Sequence, residues 1–170
     1  MLRRVSIRFA AVALAAGSLA TIPLATPASA VIPPHVVCSK LVATTTIAGS
    51  PAKATTKSAI SMCTPAALSA GGSSTTVTPA SQLFGKITNK ITWKNGKGTT
   101  TVVQQYKTVT GTSKCPKGQS HIKLTGTTKT STGAAAKIIK AGEPITASIC
   151  TNTSKTPYVS TLEPGTKFKL

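Results

Sequence analysis

Few side chains in this sequence could carry out acid–base or nucleophilic chemistry. Its 170 residues include two glutamates, two histidines and no aspartate. Glu143 and Glu163 each precede a proline, which is typical of turns, where carboxylates are usually solvated. A carboxylate pair cleaves glycosidic bonds only when the two groups face each other at a set separation. We therefore expect no catalytic pair, and no G-x-S-x-G segment accompanies His35 or His121 to indicate a serine hydrolase.

The sequence also lacks the ligand set of a metal site. His35 and Cys38 are spaced as His-x-x-Cys, and His121 is the one other histidine that could join them. A structural zinc site needs about four ligands in paired spacings, and no Cys-x-x-Cys is present. We predict no metal ion, no other cofactor and no enzymatic activity.

The first thirty residues have the pattern of a cleaved export signal. Three arginines lie within the first eight residues, and an apolar run follows over residues 9–20. Ala28 and Ala30 then place small residues at a cleavage site. The apolar run is shorter than the roughly 20 residues that span a bilayer. We predict a signal peptide at residues 1–30 and a secreted, extracellular domain at residues 31–170, with no membrane span in the mature chain.

The four cysteines indicate disulfides, because exported proteins meet an oxidising environment. Four cysteines allow three pairings, and an internal similarity favours one of them. Lys40-Leu41 begins a Thr-rich segment that ends at Cys63, and Lys123-Leu124 begins a similar segment that ends at Cys150. If each segment is one strand pair that keeps its own bridge, the disulfides are Cys38–Cys63 and Cys115–Cys150.

Apolar and polar residues alternate along much of the chain, which is typical of β-strands. In residues 86–94, the side chains of Ile87, Ile91 and Trp93 share one face, and lysines occupy the other. Asn95-Gly96 follows, a pair well suited to the tight turn of a β-hairpin. We predict one all-β domain, an antiparallel sandwich or barrel of about eight strands, with Trp93 in its core.

Clusters of turn residues separate these strands, and no linker divides residues 31–170 into two domains. Residues 66–74 are rich in Ala, Gly and Ser, and we expect them to form a flexible loop. Residues 134–141 suit either a short helical turn or a strand. The sequence leaves open whether the sheet encloses a polar pocket or packs solid.

The chain is strongly basic, with 20 Lys+Arg against 2 Asp+Glu. Because the arginines fall in the first eight residues, residues 31–170 carry seventeen lysines and a net charge of +15. Lysines opposite apolar strand positions predict solvated outer faces that discourage aggregation and attract anionic polymers. Sequence-specific nucleic-acid recognition is not expected, since residues 31–170 contain no arginine and few aromatic residues. The candidate polyanion-binding residues are Lys86, Lys90, Lys94, Lys123, Lys167 and Lys169.

Several short segments resemble those of small secreted β-proteins of actinobacteria. They are CSKL at 38–41, MCTP at 62–65, ITWKNG at 91–96, CPKG at 115–118 and PGTKFKL at 164–170. The resemblance spans nearly all of residues 31–170. It implies export from a Gram-positive cell and a β fold, and it carries no catalytic residue over to this chain.

Together these observations predict a non-enzymatic protein at or near the cell envelope. The first hypothesis is weak binding of anionic envelope polymers through the lysine-rich surface. The alternative is an extracellular inhibitor or protein-interaction module that presents the 66–74 loop. A hydrolase that uses Glu143 or Glu163 is a distant third. Oligomeric state is not predicted.

Overall fold

Residues 35–170 are described by the structure, a computed structural model, and most of them lie in β-strands. The predicted signal peptide, residues 1–30, lies outside these described residues. The elements are β1 (Val37–Ala48), β2 (Lys53–Thr64), β3 (Gly72–Pro79), β4 (Lys86–Trp93), β5 (Gly98–Thr108), β6 (Ser120–Ser131), α1 (Ala135–Ile138), β7 (Pro144–Asn152), β8 (Tyr158–Leu162) and β9 (Phe168–Lys169). Within residues 35–170 no helix is long and apolar enough to cross a membrane.

The strands form a closed antiparallel barrel, so the all-β prediction is confirmed and the barrel is the correct alternative. Each strand from β1 to β7 pairs with the next along the chain, and β8 pairs back with β1. Such a meander suits this sequence because short turns join antiparallel neighbours. Closure leaves each strand one face toward the interior and one toward solvent, which explains the period-two alternation.

The eighth position of the barrel is shared by two strands. Both β8 and the short β9 lie between β7 and β1 and pair with each of them. Residues 163–167 separate the two strands as an irregular turn. β8 therefore lines one half of the barrel, and β9 lines the other half.

The β4–β5 hairpin is confirmed in detail. Trp93 pairs with Gly98, and the intervening turn has Asn95 at φ 56° and Gly96 at φ 65°. Positive φ at both central residues is the requirement of a type I′ turn, which asparagine and glycine meet most easily. The β4 side chains alternate strictly between exposed and buried.

Two other local predictions have different outcomes. The expected loop at residues 66–74 is wrong in part, because Leu68 is buried in the core and β3 already begins at Gly72. The chain there returns at once to the sheet, with β3 paired along β2. In residues 134–141 the helical alternative is correct, as α1 shows.

Both predicted disulfides are present. Cys38 and Cys63 face each other on β1 and β2, and Cys115 in the β5–β6 loop joins Cys150 on β7. β1–β2 and β6–β7 are both antiparallel pairs, as the internal similarity predicts. The bridges are placed differently in the two pairs, because only Cys38–Cys63 links two strands directly.

One end of the barrel is filled by apolar side chains. Trp93 is the largest of them, and its indole Nε1 donates a hydrogen bond of 2.9 Å to Thr100 Oγ1. Leu170 exchanges two backbone hydrogen bonds with Val36 and is fully buried. The other large members of this closed end are Leu68, Ile139 and Phe168. The interior of the barrel is therefore solid where β1 begins.

Removal of either disulfide should lower the free energy of unfolding by about 3 to 4 kcal/mol, because each closes a loop of 25 or 35 residues in the unfolded chain. The test is urea unfolding of Cys38→Ala/Cys63→Ala beside Cys115→Ala/Cys150→Ala. The two double variants should lose similar amounts, since the loops are of similar length. A loss below about 1 kcal/mol for either would contradict the constraint proposed for that bridge.

Candidate ligand cavity inside the barrel

The half of the barrel away from the closed end contains a cavity of about 300 Å³. This volume would hold about ten waters at roughly 30 Å³ each, and it lies at the lower end of the range for small-molecule sites. An eight-stranded barrel has an interior just wide enough for packed side chains or one small ligand. Here the space remains because many inward side chains are small.

One wall of the cavity is apolar. It is formed by branched aliphatic side chains on the inward faces of β4, β6 and β7. Its members are Ile87, Ile91, Ile122, Leu124 and Ile149. Each is at most 8% exposed, so this wall continues the core of the closed end into the cavity.

The opposite wall carries hydroxyl groups, contributed by the end of β7, by β8 and by β1 to β3. Thr45 Oγ1 on β1 bonds to Thr56 Oγ1 on β2 at 2.9 Å, and Ser58 Oγ bonds to Ser74 Oγ on β3 at 2.6 Å. A further pair, Thr151 with Ser160, joins β7 to β8 at 2.8 Å. These inward hydroxyls satisfy one another across neighbouring strands, and we call them the hydroxyl wall together with Thr76.

Asn89 bridges the two walls at a weak joint of the barrel. Backbone pairing between β3 and β4 is confined to Gly72 with Trp93 and Ser73 with Thr92, near the closed end. Farther along, the buried Asn89 side chain connects the strands: its Oδ1 accepts from Thr76 Oγ1 at 2.7 Å, and its Nδ2 donates to Ser74 Oγ at 3.1 Å. The barrel wall at this seam is thus held by a side chain instead of a ladder.

Gln104 and Tyr106 place two further polar groups on β5, beside the apolar wall. Gln104 Nε2 donates to the Tyr106 hydroxyl at 2.7 Å. Gly126 on β6 lies opposite Gln104, where a Cβ atom would come within 2.3 Å of Val103 O. The missing side chain lets β5 and β6 approach closely beneath this pair. Burial raises the pKa of Tyr106 from 10.0 to about 12.

The β3–β4 loop lies over the cavity at the end opposite the closed one. Leu83 and Phe84 of this loop line the cavity, and the Phe84 ring is 50% exposed. An exposed aromatic side chain that also contacts a cavity marks the position at which the interior meets solvent. The mouth therefore adjoins the weak seam between β3 and β4.

The sequence-based candidates for acid–base chemistry lie outside this cavity. Glu143 is 2% exposed, so the expectation of a solvated turn carboxylate is wrong. Its Oε1 accepts from Lys140 N at 2.7 Å and lies 2.9 Å from His35 Nδ1, and its backbone N–H donates to Thr128 Oγ1 at 2.8 Å. The carboxylate thereby ties His35, two residues before β1, to the β6–β7 loop, and the backbone N–H of Glu143 holds this loop to β6.

Glu163 likewise holds a loop through its carboxylate. It is 9% exposed, so the expectation of a solvated turn carboxylate is wrong for this residue too. Its Oε1 accepts from Lys114 N at 2.7 Å, which ties the loop that carries Cys115 to the turn after β8. His121 Nε2 lies 3.4 Å from Glu163 Oε2, beneath this loop and not at the surface. Each glutamate is thus engaged by its own loop, and the two do not form one site.

All six candidate polyanion-binding lysines are exposed. Lys86, Lys90 and Lys94 follow the outer face of β4 and the turn after it, and Lys123 lies on the outer face of β6. Lys167 and Lys169 lie beside and on β9, between β7 and β1. The structure therefore places them on different sides of the barrel and does not gather them into one patch.

The cavity residues were not recognised from the sequence. Inward threonine and serine residues give the same alternation as solvated ones, so the pattern alone cannot assign them to an interior. The sequence offers no signal that separates these two cases. Among residues 35–170 no cluster of three or more His, Cys, Asp or Glu residues could hold a metal ion.

Comparisons of the chain with protein-family models, with curated proteins and with solved structures gave no match.

Tyr106 should make stability fall at high pH. Because its pKa is raised to about 12, the unfolded chain loses this proton first, so stability is complete below pH 10 and declines as the pH rises from 10 through 12. The decline due to this group should be up to about 3 kcal/mol. Tyr106→Phe should remove that component in urea unfolding and abolish the latest phase of phenolate absorbance. Tyr158→Phe is the matched control and should retain both; persistence of the late phase in Tyr106→Phe would contradict the assignment.

Proposed function

We propose that this chain is an exported, non-catalytic binding protein that holds one small molecule inside its barrel. The observation that carries the proposal is the cavity of about 300 Å³ with a mouth at one end of the barrel. A core built only for stability fills such space, because each void sacrifices dispersion contacts and costs free energy. Here the interior is solid at one end and open at the other.

Export supports the same proposal. The signal-like residues 1–30 precede a domain whose two disulfides persist in oxidising surroundings. A bridged barrel is suited to carry a ligand outside the cell, where no reducing system or chaperone maintains it. The absence of a catalytic constellation among the described residues, with each glutamate bound to a separate loop, fits a binding role.

The cavity should bind prodan, an uncharged naphthalene ketone dye whose emission shifts to the blue in apolar surroundings. Ala43→Phe places a ring into the cavity from β1 and should weaken prodan binding by about tenfold or more. Val42→Phe, on the neighbouring outward position, is 37% exposed in the native chain and should leave binding unchanged. The measurement is a fluorescence titration, with circular dichroism to confirm the fold.

If Ala43→Phe unfolds, Ser160→Leu fills the same cavity from β8 and takes its place. Equal prodan binding by the filled variant and by Val42→Phe would show that the dye binds elsewhere. No binding by the native protein would contradict the proposal.

A second candidate function is association with anionic envelope polymers through the outer surface. The observation in its favour is that sixteen of the seventeen lysines in residues 35–170 are exposed, and the two glutamates are buried beside histidines. The field of the domain is therefore not offset by acidic groups at the surface. This association would hold the protein near the envelope while its interior remains free for a ligand.

The inhibitor alternative required an exposed loop at residues 66–74. That segment contributes Leu68 to the core and its last three residues to β3. No contact in the described residues favours this alternative over the cavity.

Heparin retention tests the second candidate. The domain should be retained at physiological salt and elute at higher salt, because binding of this kind depends on released counterions. Lys86→Ser/Lys90→Ser/Lys94→Ser should lower the eluting salt concentration by the same amount as a charge-matched triple variant, Lys53→Ser/Lys137→Ser/Lys155→Ser, since the lysines surround the barrel. Elution of the native protein at low salt would contradict the association. A much larger effect of the β4 triple would show a localised site.

A further inference from the structure

We infer that the ligand is an uncharged molecule with one apolar side and one side that bears oxygen groups, such as hydroxyl, ether or carbonyl. This inference rests on the proposed binding function of the cavity and specifies the chemistry of its occupant. It follows from the absence of charge in the lining, from the division of that lining into two walls, and from the hydrogen-bonding capacity that remains on the polar groups.

Among residues 35–170, no lysine, histidine, glutamate or arginine lines the cavity. Its ionisable groups are the phenols of Tyr106 and Tyr158, and Tyr106 is held in its neutral form by burial. An ion that entered would lose hydration without gaining a partner of opposite charge, which is unfavourable. Sixteen of the seventeen lysines in residues 35–170 are exposed and none lines the cavity, so they attract an anion to the surface without compensating it inside.

The two walls differ in what they can contact. The aliphatic side chains of β4, β6 and β7 offer no hydrogen bond and favour burial of a ring or hydrocarbon face. The hydroxyl wall lies on consecutive strands on the opposite side. A ligand that is apolar all round would cover these hydroxyls without bonding to them, and one that is polar all round would lose hydrogen bonds against the aliphatic wall.

The polar groups retain capacity for a ligand. A hydroxyl has one proton and two lone pairs, so the bond between Thr45 and Thr56 leaves one of their two protons for another acceptor. Asn89 Nδ2 donates one proton to Ser74 and retains a second. The Tyr106 hydroxyl accepts from Gln104, which leaves its own proton to donate. Donors from three places therefore converge on one space, and this suits ligand oxygens.

The first experiment compares four probes with one naphthalene ring and different substituents: naphthalene methanol, methylnaphthalene, naphthoate and naphthylmethylammonium. Each is titrated against prodan bound to the native protein, at about 0.5 M salt, where surface charge is screened. Naphthalene methanol should displace prodan at a concentration at least about tenfold lower than either ion. Equal displacement by either ion would overturn the assignment of an uncharged ligand.

The second experiment tests the hydroxyl wall. Thr45→Val/Thr56→Val replaces both partners of one hydrogen bond by groups of the same shape, which leaves no unsatisfied hydroxyl and should preserve folding. It should reduce the preference for naphthalene methanol over methylnaphthalene by about threefold or more. Thr46→Val/Thr55→Val is the matched control, because Thr46 and Thr55 are also paired with each other on β1 and β2 but lie on the outer face of the barrel.

The outcomes distinguish the binding function of the cavity from the two-sided chemistry of its ligand. If prodan binds and is displaced, but Thr45→Val/Thr56→Val leaves the preference unchanged, the two-sided ligand is wrong and the binding function stands. If prodan does not bind the native protein at all, both are wrong. A change of preference in the outer pair as large as in the inner pair would overturn the role of the hydroxyl wall.

Discussion

Everything in this domain depends on the closure of one sheet, in which β1 pairs with β2 on one side and with β8 and β9 on the other. An open sheet of the same strands would expose both edges and would need a second layer to cover its apolar face. Closure removes the edges and turns the apolar face inward upon itself. It also creates an enclosed volume, which must be filled by side chains or left as space.

The filling differs between the two ends because the side chains differ in size. At one end Trp93, Phe168 and Leu170 meet and exclude solvent. At the other end the same inward positions carry serine and threonine on β1 to β3 and β8. A hydroxyl side chain of that size does not reach the barrel axis, and its polar atom must find a partner. The partners are hydroxyls of neighbouring strands, which keeps the wall satisfied and the centre free.

Most charged side chains lie on the outside of the barrel, and the cavity lining is uncharged. Lysines occupy outward positions all round the barrel, and the lining of the cavity carries none. The two glutamates do not offset this field at the surface, since each is buried and accepts a backbone N–H from a loop. Through these bonds they hold the long β5–β6 and β6–β7 connections in place.

The sequence predicted what depends on neighbours along the chain. The alternation on β4, the Asn95-Gly96 turn and both disulfides followed from local pattern and internal similarity, and each is present. The choice of barrel over sandwich did not follow, because closure is a pairing between strands more than a hundred residues apart. The burial of Glu143 was missed because its partners, His35 and Thr128, lie on other elements. The cavity was missed because a threonine that faces a void has the same pattern as one that faces water.

The barrel wall is weakest between β3 and β4, where few backbone hydrogen bonds join the strands. Elsewhere a gap between strands would require the rupture of a continuous ladder, but here two paired positions and the amide of Asn89 hold the strands together. Local separation of β3 and β4 could widen the mouth of the cavity, while the rest of the barrel, cross-linked by its disulfides, keeps its shape. A ligand wider than the closed mouth could then enter or leave by local separation of β3 from β4, without unfolding of the barrel.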